Sequence, residues 1–275
     1  MTVEAGSKQL IDQTYFKGSM EFRGRCALLL EAALRTAVAL KSKKLTSKIV
    51  ETVAMFKIGC YSGQTEWFDG VMNKTYMCLP RLQIKDPSVE TPGESEIATG
   101  DVAEMTIEMT RLHAEAFTRQ KIAMFQKQGI PPQVALQTYR EGWWFLINAE
   151  RLSGDGELSK TAAGEIRTDG LLQSVDSATV GKFDAASFPE RLVSAWPMVV
   201  QNVAQKTGKV KIQFPVPKTP GKFKFTVDVK SQDFLGADNS FSVEANVVDA
   251  KTVTRKPKEP KAKKEEESAD AKKEK

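Results

Sequence analysis

The run from Lys209 to Val248 constrains the fold more than any other part of the chain. Val210, Ile212 and Phe214 alternate with Lys209, Lys211 and Gln213. Phe223, Phe225, Val227 and Val229 alternate with Lys222, Lys224, Thr226, Asp228 and Lys230. Phe241, Val243, Ala245 and Val247 make a third alternation. Successive side chains of a strand point to opposite faces, so each run buries one face and wets the other. Pro215, Pro217, Pro220 and Gly221 separate the first two runs, and Gly236, Asp238 and Asn239 separate the last two. Short alternating strands with regular turns predict an antiparallel sandwich.

Upstream the period differs. Residues 20–58 predict helices: Leu30, Leu34, Ala37 and Val38 recur at helical spacing, and Leu45, Ile49, Val53 and Phe56 form a second stripe after the polar break KSKK. Thr46 or Ser47 is the expected cap of that second helix. Trp67 to Met77 predicts a third, short helix. From Pro80 the pattern turns to strands. Leu82 and Ile84 alternate with polar neighbours, a loop with Pro87, Pro92, Gly93 and Gly100 follows, and Met105, Ile107 and Met109 alternate with Glu104, Thr106 and Glu108. Gly142 to Ile147 is apolar on both faces, which predicts a central strand filled by Trp143 and Trp144. The class expected is α+β: a helical bundle followed by an antiparallel sandwich of fibronectin-type-III or immunoglobulin-like kind. The expected divisions are a flexible stretch at 1–19, a helical region at 20–79 and a β-rich region at 80–250. The β-rich region carries polar inserts at 112–140 and 151–185, and a Lys/Glu-rich tail follows at 251–275.

The chain has 275 residues and a net charge of +5. Its tail, 251–275, holds ten basic and six acidic residues, so +4 of that charge lies there and +1 in the body. A near-neutral body lacks the electrostatic footprint of a dedicated nucleic-acid binder. The tail has no apolar residue larger than Ala after Val253 and is expected to be disordered, with its lysines available to an anionic surface. Cysteines stand at 26, 60 and 78 with no CxxC, which argues against a disulfide framework or zinc knot and fits a reducing compartment. No run approaches the ~18 apolar residues of a membrane-spanning helix.

Motifs that carry chemistry are missing. His113 is the single histidine, and its sequence neighbours Glu104, Glu108 and Glu115 read as surface acids, so it is expected to be an ordinary residue at a strand-to-loop junction. Cys26 falls in an apolar helical stretch and is expected to pack. No GxxxxGK[ST], GxGxxG or GxSxG occurs, and Gly154-Asp155-Gly156 is a turn signal. No catalytic residue, metal, cofactor or small-molecule substrate is expected, and the chain reads as an interaction module rather than an enzyme.

The segment KIQFPVPKTPGKFKFTVDVKSQDFLGADNSFSVEANV resembles the end of the Brl domain of the Sec-sixty-three family, a subunit of the endoplasmic-reticulum protein translocation machinery. The positions that carry the resemblance are Phe214, Pro215, Pro217, Pro220, Gly221, Ser231, Asp233, Phe234, Leu235, Gly236 and Asp238. Leu79-Pro80-Arg81, Gly100-Asp101-Val102, Thr110-Arg111 and Glu141-Gly142-Trp143-Trp144 stand upstream in the family's order. The resemblance implies a fibronectin-type-III-like sandwich after a helical portion, peripheral on the cytosolic face of the endoplasmic reticulum. It implies a scaffold that contacts the Sec translocon channel and associated membrane subunits. The HPD motif of a J domain is absent, the one histidine being followed by Ala114, so stimulation of Hsp70 is not implied. Phe234, Leu235 and Asp238 are the expected partner-binding residues. The same domain type also occurs in RNA helicases of splicing and ribosome rescue, which gives a second expectation: an adaptor in ribonucleoprotein assembly.

Overall fold

The computed structural model describes residues 13–58, 80–134, 141–153, 170, 173–186, 191–202, 204–234 and 236–253. The three alternating runs near the C-terminus fold as β6 (Thr207–Pro215), β7 (Gly221–Ser231) and β8 (Asn239–Val248). Ahead of them come β1 (Leu82–Glu90), β2 (Ile97–Ala98), β3 (Val102–Arg111), β4 (Glu141–Ser153) and β5 (Ser194–Val200). The helices are α1 (Gln13–Ala39), α2 (Lys43–Ile58), α3 (Ala114–Gln126) and α4 (Ser177–Ala186). The class is mixed α+β.

The strands form two sheets, one ordered β1-β3-β6 and the other β2-β8-β7-β4-β5. Every pairing is antiparallel except the two-residue match of β2 with β8. Both sheets contribute to one core. Met105, Ile107, Ile212 and Phe214 come from the first, and Trp143, Phe145, Phe223, Phe225 and Val227 from the second. Phe214 and Phe225 meet across it with ring centroids 5.2 Å apart. These rings are what the alternation in the sequence bought: an aromatic side chain lost to water at every second position would forfeit about 1.5–3 kcal/mol each.

The β4 strand is apolar on both faces because both are covered. Trp143, Phe145 and Ile147 face the core, while Leu146, also fully buried, lies on the face where α2 contacts β4 and β7. Helix and sheet are joined there by ion pairs. Lys43 reaches Asp228 at 2.9 Å and Asn148 at 3.0 Å, and Lys230 reaches Glu51 at 2.7 Å. The turn between α1 and α2 also pairs with the chain just before β5, through Ser42 and Arg191 and a 2.8 Å bond from the Leu192 amide to the Lys41 carbonyl.

Several sequence expectations need correction. The cap of α2 is Ser42, not Thr46 or Ser47: its Oγ accepts from the Leu45 amide at 3.2 Å, and the helix starts at Lys43. Thr46 is instead buried, with its hydroxyl donating to the Ser42 carbonyl at 2.7 Å. The buried stripe of α2 is Thr46, Val50, Val53 and Ala54, whereas Leu45 is exposed. Lys43 and Glu51 of the same helix pair with Asp228 and Lys230 of the sheet. Helix α1 begins at Gln13, ahead of the expected start at 20. Pro87 is not in a loop but inside β1, where Asp86 takes φ +44° and the pairing with β3 shifts between Lys85 and Ser88. A bulge of this kind leaves room for a residue with no N–H. Strand β5 and helix α4 were not foreseen. The expected helix at Trp67–Met77, Cys60, Cys78 and most of the tail lie outside the described residues.

The Pro220-Gly221 turn has a physical requirement for glycine. Gly221 has φ +143°, and a Cβ there would sit 2.2 Å from the Ser153 carbonyl oxygen. Arg151 holds the same turn through a 2.7 Å bond to the Pro220 carbonyl.

Candidate functional site

Strand direction brings distant parts of the chain to one end of the two sheets. The start of β1, the ends of β3 and β7 and the start of β4 and β8 all arrive there. Glu141, the first residue of β4, sits at the centre and is fully buried. Its Oε1 accepts from Arg111 Nε at 3.1 Å and from Trp143 Nε1 at 2.7 Å. Its Oε2 accepts from Arg111 Nη2 and from His113 Nε2, the latter at 2.9 Å. The Arg111 Nη1 donates to the Gln205 carbonyl at 2.6 Å.

His113 extends the network to the start of β1. Its Nδ1 lies 2.9 Å from the Arg81 amide and 3.1 Å from the Arg81 carbonyl. Nε2 is the ring nitrogen that donates to Glu141. The ring then meets Phe117 edge-on at 5.9 Å, and Phe117 meets Phe234 edge-on at 6.2 Å. His113 is therefore not at an ordinary surface junction: it is buried, and its acid is Glu141, twenty-eight residues on, rather than Glu104, Glu108 or Glu115. Glu104 is also no plain surface acid, since it is mostly covered and pairs with Lys211 on the neighbouring strand. No signal in the sequence pairs Arg111 with Glu141, because thirty residues separate them and they stand on strands of different sheets that only the tertiary fold brings to one end.

The electrostatics follow from burial and partners. Desolvation pushes the Glu141 carboxyl up, but His113 and Arg111 outweigh it and hold it down to about 2. Four donors occupy the two oxygens, so the carboxylate is held as an acceptor and is closed to solvent. No group of His, Cys, Asp or Glu suited to a metal occurs among the described residues.

A second layer fixes the segment after β7. Ser231 is buried, and its Oγ accepts from the amides of Asp233 at 3.2 Å and Phe234 at 3.0 Å. Asp233 Oδ2 accepts from the Gly142 amide at 2.8 Å, and the Gln232 amide donates to the Gly142 carbonyl at 2.9 Å. A Cβ on Gly142 would lie 2.4 Å from Gln232 Oε1, so the Gln232 side chain would have to move aside. Asn239 Nδ2 closes the ring with a 2.9 Å bond to the Leu82 carbonyl.

The expected partner residues fall in this segment. Phe234 is half-buried against Phe117 and the core edge, so its ring is largely a packing element. Asp238 is exposed and pairs with Lys230 at 2.7 Å. Burial pulls the Lys230 ammonium down, and Asp238 and Glu51 reverse this and raise it. Leu235 lies outside the described residues.

No family model matches the chain, and no curated protein matches it. Among solved structures, β-glucosidase from Listeria innocua is 8% identical with a TM-score of 0.28, over 62% of this chain and 16% of that one. Spo0M, a sporulation control protein from Bacillus subtilis, is 8% identical with a TM-score of 0.27, over 61% of this chain and 49% of that one. The chain thus spans under a fifth of the first and about half of the second. Likenesses this distant carry no argument about fold or function. None of the described helices is long and apolar enough to cross a membrane.

Proposed function

We propose that this chain is a non-enzymatic scaffold of the endoplasmic-reticulum protein translocation machinery, docking on translocon subunits at the cytosolic face of the membrane. In this reading the two sheets are a fibronectin-type-III-like sandwich, and α1 and α2 belong to the helical bundle that precedes it. One observation carries the proposal. The motifs of the Sec-sixty-three resemblance are scattered from Arg81 to Asp238, and most of them meet in the single network around Glu141. A chance series of short matches has no reason to converge on one hydrogen-bonded centre. The network holds residues 231–234 in place and Lys230 holds the exposed Asp238, and groups held in place before binding lower the entropic cost of docking.

Proximity labelling from the full chain in intact cells tests the proposal. Channel subunits of the translocon should be the leading labelled proteins. Labelling confined to cytosolic proteins would overturn it, and labelling of ribonucleoprotein components would favour the helicase-linked adaptor instead. Asp238→Lys should lower translocon labelling while leaving the fold intact, because Lys230 keeps its bond to Glu51.

A further inference from the structure

The opposite end of the two sheets holds a cleft of about 360 Å³ between the C-terminal ends of β1 and β8. These strands belong to different sheets, and on the edge away from β7 the β8 strand is paired, among the described residues, only at Val247 and Val248. Glu90, Glu94, Glu96 and Glu244 line the cleft, and among the described residues no Lys or Arg does. Lys222 stands outside it, 2.6 Å from Glu244. Val89, Ile97, Ala245 and Val248 supply apolar wall. Thr91, also in the wall, has a buried hydroxyl oxygen with no hydrogen-bond partner.

The chain leaves the fold beside this cleft. The Thr99 amide donates to the Val248 carbonyl at 2.9 Å, and the Ala250 amide donates to Thr99 Oγ1 at 3.1 Å. The described residues end at Val253, five past the cleft-lining Val248. The next eleven residues, TRKPKEPKAKK at 254–264, carry six basic side chains against one acid. At about 3.4 Å per residue they reach roughly 37 Å when extended, ample to return along the cleft.

We infer that residues 254–264 of this same chain occupy the acidic cleft between β1 and β8, with their lysines against Glu90, Glu94 and Glu96. Tethering makes the contact intramolecular, so its effective concentration is in the millimolar range and modest pairwise attraction suffices. The contact holds the basic tail in reserve: an anionic surface must compete with the cleft for the same lysines. Salt weakens both. The inference is independent of the translocon reading.

Zero-length carbodiimide cross-linking tests it on the full chain, mixed with ¹⁵N-labelled copies and mapped by mass spectrometry. Lys256, Lys258 and Lys261 should link to Glu90, Glu94 and Glu96, within light or within heavy chains only. Glu94→Gln with Glu96→Gln leaves Glu90 reactive, and should lower the Glu90 links severalfold, as should high salt, with the thermal melt unchanged. Links spread evenly over other exposed acids such as Glu108, Glu115 and Glu150 would overturn the inference. So would an absence of tail links, and so would mixed light–heavy links, which would make a second copy the occupant.

Discussion

At the scale of the residue, Glu141 shows how one buried carboxylate ties together four segments of chain: its own, 111–113, and through these Arg81 and Gln205. Taking two charges out of water costs more than a surface pair returns, so the arrangement is stable only while every partner is present. Glu141→Gln keeps the shape but leaves Arg111 buried without a counter-charge. It should cost about 3–5 kcal/mol, read as a lowered midpoint in urea unfolding. The carboxyl also sets an acid limit. Its value in the folded chain, about 2, lies below the ordinary 4.5, so folding binds fewer protons here than the unfolded chain does. The stabilisation is fully present above pH ~4.5 and is lost as pH falls through ~2, amounting to about 3 kcal/mol for this shift. Chemical denaturation from pH 6 to pH 2 checks this, and in Glu141→Gln the acid-dependent loss should shrink by about that amount. Of this network the sequence showed the members but not the links. Arg111, His113 and Glu141 each stand in a legible motif or junction, yet their pairing depends on β3 and β4 arriving at the same end of different sheets.

At the scale of the element, the strands with strict alternation were readable because a single buried face enforces period two. Strand β5 was not, since it lies at a sheet edge with Trp196, Pro197 and Val199 exposed, and only Met198 and Val200 are partly buried against the core. The cap of α2 was misplaced by four or five residues, because Ser42 sits in the polar stretch KSKK, which has no apolar period to mark it. Ser42→Ala should cost about 1 kcal/mol, checked by thermal unfolding. The Pro220-Gly221 turn is a sharper case. Gly221→Ala puts a Cβ into the Ser153 carbonyl at a positive φ and should cost more than about 1 kcal/mol, visible as a lowered melting temperature and as faster amide exchange in β4 and β7.

At the scale of the whole molecule, α2, with α1 packed on it, lies on one face of a sheet whose other face builds the main core. Leu146 is the apolar contact on the covered face, flanked by the Lys43–Asp228 and Lys230–Glu51 pairs. Leu146→Ala should cost about 2–5 kcal/mol and raise hydrogen exchange first in α2 and only later in β3 and β6, which lie in the other sheet. Uniform loss of protection across both sheets would show that the helices are not a separable layer. The run from Lys209 to Val248 determined by itself that strands β6, β7 and β8 form and which face each one buries, since alternation is a local property of the chain. The composition likewise placed the positive charge in the tail. Tertiary structure alone decided which face of α2 is buried, that β1 continues through Pro87, and that Arg111, His113 and Glu141 share one centre. Those outcomes depend on register and on charges brought together from residues tens of positions apart, and a pattern read along one segment carries no information about the segment that will lie against it.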